Sequence, residues 1–78
     1  MRFKALDTVV LDRDLPGIGL QSGDLGAVVQ VCKDDGIEVE FVAASGRTEA
    51  LLTLKESDVR PISDTDLIAV RSLHKRSA

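Results

Sequence analysis

Between Lys33 and Lys55 the chain reads KDDGIEVEFVAASGRTEALLTLK, a run of period two bracketed by turn signals. Ile37, Val39 and Phe41 fall on one side of this run, Glu38 and Glu40 on the other. Such alternation suits a half-buried antiparallel strand and conflicts with the 3.6-residue repeat of a helix. Asp35-Gly36 marks a tight hairpin before the run, with Gly36 as the residue able to accept positive φ. Gly46 fills that part in the turn after it. TEALLTLK, residues 48–55, continues the pattern with Ala50, Leu52 and Leu54 inward and Leu51 outward. A chain built around this stretch is committed to antiparallel sheet.

The same period extends upstream and downstream. DTVVL, residues 7–11, predicts a first strand with Val9 and Leu11 on one face. The loop LPGIGLQSGD carries Pro16, Gly17, Gly19 and Gly23. LGAVVQVCK predicts a second strand, β-branched enough to favour strand over helix. Ala27, Val29 and Val31 share one of its faces; Val28, Gln30 and Cys32 share the other, read as the outward one. Gly26 inside this strand predicts a bend or bulge. ESDVRPI predicts a 3-10 turn at residues 56–58 and a brief fifth strand, with Pro61 suited to a sheet edge. Five short strands with glycine-rich turns are too few for a sandwich and predict a small closed or nearly closed barrel, which would remove exposed strand edges.

The last sixteen residues change period. Ser63 is placed as an N-cap, Asp64 and Asp66 in a first turn, and His74, Lys75 and Arg76 in a last turn. That charge order suits a helix dipole. Leu67, Val70 and Leu73, joined by Ile68, recur at helical spacing. A single short helix needs something to pack on, here one end of the barrel or another subunit. The expected organisation is a barrel over residues 1–62 and a helical tail over 63–78.

Composition narrows the function. The 78 residues hold ten Lys and Arg against thirteen Asp and Glu, and the imbalance sits in residues 1–62, with seven against eleven. Phosphate-backbone affinity comes from clustered Lys and Arg, so an acidic body disfavours nucleic acid. Phe3 and Phe41 are the whole aromatic complement, too little for base stacking or for the aromatic groove that docks proline-rich peptides. No apolar run approaches the roughly 18 residues of a membrane span, and the opening residues lack the pattern of a signal peptide. Cys32 is the single cysteine, so no internal disulfide forms and a reducing cytoplasm is the expected setting.

LDTVVLDRDLPGIGLQSGDLGAVVQV, IEVEFVAASGRT and TLKESDVRPI, in that order from Leu6 to Ile62, resemble a bacterial family known as domain of unknown function 4926. The resemblance implies an all-β, five-stranded SH3-like barrel, here followed by the short C-terminal helix. The GDLGAVVQV and IEVEF segments are also similar to the KOW element of translation and transcription factors and to the nitrile hydratase beta-subunit barrel. Members of the family often carry an aromatic residue where this chain has Cys32. The resemblance brings no assigned activity and no site residues, and it implies genes that neighbour toxin-like or mobile-element genes.

Individual motifs add little chemistry. Gly17 and Gly19 begin a dinucleotide fingerprint, but Ser22 stands at the third glycine and a strand follows instead of a helix. A phosphate loop would end in Gly-Lys-Ser or Gly-Lys-Thr, which this one does not. Asp12, Asp14 and Asp24 can converge at one end of the sheet, and Asp34 and Asp35 share a hairpin, but no calcium-loop spacing joins them. Cys32 and His74 are the only thiol and imidazole, with no third orienting group and too few ligands for zinc. The tail RSLHKR is basic but short. No catalytic, metal or cofactor residue is expected, and no cofactor. The apolar positions left after filling the barrel, Val28, Cys32, Leu51, Leu67, Ile68, Val70 and Leu73, form the candidate interaction surface. The expected function is a non-enzymatic interaction module binding a protein partner or itself, as an accessory or antitoxin-like partner of a neighbouring gene product. The alternative is a KOW-like nucleic-acid binder.

Overall fold

A computed structural model describes residues 2–73. It is all-β: β1 (Thr8–Leu11), β2 (Leu25–Val31), β3 (Gly36–Val42), β4 (Thr48–Lys55) and β5 (Val59–Pro61) form one antiparallel sheet in the order β4-β3-β2-β1-β5. Single 3-10 turns at Pro16–Ile18 and Glu56–Asp58 are the only helical elements among the described residues, the second at the position the sequence indicates. One face of the sheet curls around a core of Val9, Leu11, Val28, Ile37, Val39, Phe41, Leu54 and Val59, closed by Phe3 and Leu20 from the flanking segments.

The sheet does not close into a barrel. β4 and β5 both contribute to the core, yet they pair only with β3 and β1. Pairing of end strands depends on accumulated curvature and register, which no local pattern encodes.

Two strands depart from expectation in detail. Val28 is 1% exposed and belongs to the core, so the faces of β2 are the reverse of those expected. The register with β3 shifts between Val28 and Gln30, and from the bulge residue Val29 onward Val29, Gln30 and Val31 are all exposed. Gly26 is not the bulge. It is buried because it packs directly on β3: a Cβ there would lie 2.6 Å from Val39 Cγ1 and 2.9 Å from Phe41 Cε1. In the β2–β3 hairpin, Asp34 and Asp35 take the left-handed conformation, at φ 58° and 69°, and Gly36 is the first residue of β3. A short polar side chain tolerates that region better than most residues.

The tail is not helical over the described residues. Ser63 does begin a turn: its Oγ accepts from the Thr65 N–H at 3.1 Å, and Asp66 Oδ2 accepts from the Ser63 N–H at 2.7 Å. Asp66 closes one half of a capping box, but the Ser63 hydroxyl takes the Thr65 N–H and not that of Asp66, and no helix follows. Residues 66–73 run instead as an irregular strap along the sheet, held by side chains of distant segments. His74, Lys75 and Arg76 lie outside the described residues.

One device recurs along the chain. The N–H groups of Lys4, Gln21, Lys55 and Ser63 each donate to the carboxylate three residues on, in Asp7, Asp24, Asp58 and Asp66, at 3.0, 2.8, 2.9 and 2.7 Å. Asp7, Asp24 and Asp58 stand immediately before β1, β2 and β5, and Asp66 is the first residue of the strap. The strands reached by hairpins, β3 and β4, lack it.

The clamps at Asp7, Asp24 and Asp66 make stability depend on pH. The Lys4 N–H and ammonium hold the Asp7 carboxyl below its ordinary value. Partial burial by itself raises that of Asp24, but hydrogen bonds from the Arg71 guanidinium and the Gln21 N–H outweigh it. The Arg60 guanidinium and the Ser63 N–H lower Asp66. A carboxyl depressed in the folded state stabilises above its unfolded value and loses that contribution as pH falls through its folded value. The melting temperature is therefore expected to hold steady from pH 7 to about 5 and to fall below about pH 4. Thermal melts across that range check this, and Asp24→Asn should flatten the acid limb. A melting temperature that stays constant to about pH 2.5, well below the ordinary carboxyl range, would show that the clamps add nothing.

Candidate functional site

β1 alternates like any strand, so Val10 points away from the core that receives Val9 and Leu11. It is nevertheless buried. What covers it is the strap. Val10 pairs with Leu25 on one side and Arg60 on the other, and all three line a cleft of about 550 Å³ whose opposite wall is residues 66–71 with Leu73. Val42, Glu49 and the rim of the core at Leu20 and Phe41 also lie on the sheet side.

Two bidentate ion pairs hold the strap. At its start, Arg60 Nη1 and Nη2 donate to Asp66 Oδ2 and Oδ1, each at 3.0 Å. At its end, Arg71 Nε and Nη2 donate to Asp24 Oδ1 and Oδ2 at 2.8 and 2.6 Å, and Nη2 also reaches the Gly19 carbonyl at 2.9 Å. The fork of a guanidinium fixes direction as well as distance. Gly19 can offer its carbonyl because it ends the Pro16–Ile18 turn in the left-handed region, at φ 75°. Between the anchors Leu67 and Val70 are 90% and 97% exposed, and Ile68 and Ala69 are exposed too.

The structure gathers part of the expected surface. Leu67, Ile68, Val70 and Leu73 all line the cleft, by way of an irregular strap and not a helical stripe. Val28 is removed from the surface to the core. Cys32 is half-buried at the far end of β2, beside Arg2, Val31, Asp34, Asp35 and Glu56. Leu51, 53% exposed, lies on the outer face of β4 and does not line the cleft. Val10, Leu25, Val42 and the two arginine anchors were not anticipated. Nothing local marks Val10, since its burial comes from a segment some sixty positions later. The anchors had a signal: arginines at 60 and 71 flanking an apolar stretch in an otherwise acidic chain.

The other candidate chemistry disperses. Asp14 Oδ1 accepts from the Ser22 N–H at 2.9 Å and Asp24 is engaged by Arg71, so these acids brace the glycine loop. Among the described residues no group of three His, Cys, Asp or Glu side chains is placed to hold a metal ion, and no helix is long and apolar enough to cross a membrane. His74 lies outside the described residues, so the Cys32–His74 pairing has no geometry to assess.

Fold and cleft together define a small antiparallel β-sheet domain with an appended strap. Residues 5–61 match the family model described as Domain of unknown function (DUF4926), and the chain belongs to that family. The match ends at Pro61, the last residue of β5, just before the strap. No curated protein and no solved structure matches the chain.

Proposed function

We propose that this protein is a non-enzymatic interaction module that takes a protein partner, or a second copy of itself, at the strap and cleft. The carrying observation is that Leu67 and Val70 project into solvent from a segment pinned at both ends. An untethered apolar tetrapeptide would be free to collapse onto the cleft; this one is held open. The proposal places the module in the reducing cytoplasm of a bacterium, as an accessory or antitoxin-like partner, and the product of an adjacent gene is the first partner to test. The strand order, with a 3-10 turn between the last two strands, supports an SH3-like derivation of the open sheet. Pairing of Arg13, Arg47, Arg60 and Arg71 with acids favours a protein partner over nucleic acid, because a paired guanidinium has less charge to offer a phosphate.

The test is light scattering on the purified chain, alone and mixed with the adjacent gene product. A complex with that product is expected, and Leu67→Asp with Val70→Asp should abolish it without moving the melting temperature. A strict monomer that binds no partner would overturn the reading. Arg71→Ala tests the pinning. It should loosen residues 67–73, read as lowered heteronuclear NOEs, while β1 to β5 stay rigid, because strap and sheet open with separate free energies. The melting temperature should fall by no more than the 4–8 °C that about 1 kcal/mol represents in a domain this size.

A further inference from the structure

β4 is the longest strand, and among the described residues no strand pairs with its outer side. The opposite edge, β5, is three residues long and ends in proline, which protects it against pairing. β4 has no proline. Its register with β3 shifts only at the Val42 end, around Glu49, leaving residues 50–55 regular. Ala50 and Leu52 face the core but remain half-buried, and Leu51 stands exposed on the other side.

The sequence of β4 is complementary to itself in one antiparallel register. With Leu52 on a two-fold axis, Leu52 meets Leu52 of the second copy, Ala50 meets Leu54, Leu51 meets Thr53, and Glu49 meets Lys55. The apolar pairs fall on the core side, where they would cover Ala50 and Leu52. The charged pairs fall on the outer face and occur twice by symmetry. Glu49 already accepts from Arg47, and its second oxygen can serve a lysine. Among the described residues no acid is within ion-pair distance of the Lys55 ammonium, whose stem can span the bulge at Glu49. From this charge match we infer that β4 is a homodimerisation edge, joining two five-stranded sheets into one continuous ten-stranded sheet. The inference rests on the interaction-module reading and names the second copy as the partner taken at β4.

Charge reversal tests it on the full-length chain. Glu49→Lys places two lysines opposite each other at both ends of the seam, and Lys55→Glu places two glutamates there. Each variant alone should dimerise about tenfold more weakly or worse, by sedimentation equilibrium over a concentration series. An equimolar mixture should recover dimer: the introduced lysine of one chain then meets the introduced glutamate of the other, and the retained Lys55 meets the retained Glu49. Lys33→Glu and Asp64→Lys, which make the same net-charge changes off β4, should leave dimerisation unchanged. Both β4 positions are exposed, so circular dichroism should report an unaltered fold. A dimer that ignores the β4 reversals overturns this seam and leaves the interaction-module reading standing. A parent chain that is monomeric throughout also overturns it, and the reading then depends on the adjacent gene product.

Discussion

Val39→Asp is expected to abolish cooperative folding at 25 °C. Val39 is fully buried in β3, paired with Val28 on one side and Leu52 on the other. An aspartate there would be surrounded by hydrocarbon. It must either stay ionised without a partner or take up a proton and remain an unsatisfied polar group, and either choice costs several kcal/mol. A domain of this length has only about 4–12 kcal/mol of total stability. Leu51→Asp, one residue away from Leu52 on the outer face, should cost less than about 1 kcal/mol. Circular dichroism melts of the two variants compare the faces of the sheet directly. A Val39→Asp protein melting cooperatively near the parent temperature would mean that the inner and outer faces are reversed.

The second large effect is expected at Gly26, where even a methyl group has no space. The nearest atoms are Val39 Cγ1, Phe41 Cε1 and, at 3.2 Å, the Glu40 carbonyl. None is the loose end of a flexible side chain. Val39 is β-branched and stiff at χ1, the phenyl ring is packed in the core, and the carbonyl belongs to the sheet ladder. Gly26→Ala reduces unfolded-state entropy, worth about 0.4–1 kcal/mol where the site is compatible. Here overpacking of about 1–3 kcal/mol opposes that gain and exceeds it. A loss of about 4–8 °C in melting temperature per kcal/mol is expected, and Gly26→Val should be worse than Gly26→Ala. Combining Gly26→Ala with Val39→Ala should destabilise by less than the sum of the two, since the second change clears the atom the first one strikes. Strict additivity would rule out the contact as the cause.

Where one face of a strand was polar, its orientation could be read directly. Glu38 and Glu40 pointed β3, and the pattern of β4 followed from it. β2 offered no such contrast: Val28, Val29 and Val31 are equivalent by composition, and a bulge breaks the alternation that would have ranked them. At the hairpin, Gly36 was a reasonable candidate for the left-handed position, but the register of β3 makes it a paired strand residue and leaves the turn to two aspartates. The tail shows the same limit at longer range. Its helix-start signal is physically present at Ser63 and Asp66, but starting a helix is unfavourable unless propagation follows. Arg60 binds Asp66 and Arg71 binds Asp24, forty-seven positions away, and these contacts draw the chain out along the sheet. Leu67, Ile68, Val70 and Leu73 thus reach a common cleft through contacts that helical spacing did not foresee.

The aspartate clamps have a consequence for the order of events in folding. Each closes over three residues, so it can form before any strand has found its neighbour, on the fast timescale of short loops. A carboxylate at the fourth position sets the direction in which the chain leaves the turn, and what leaves it is β1, β2, β5 or the strap. The search for the native sheet then begins from segments whose exits are already aimed. The same four-residue unit, repeated as KALD, QSGD, KESD and SDTD, is a portable instruction for aiming the chain, and it precedes each strand that no hairpin introduces and the strap as well.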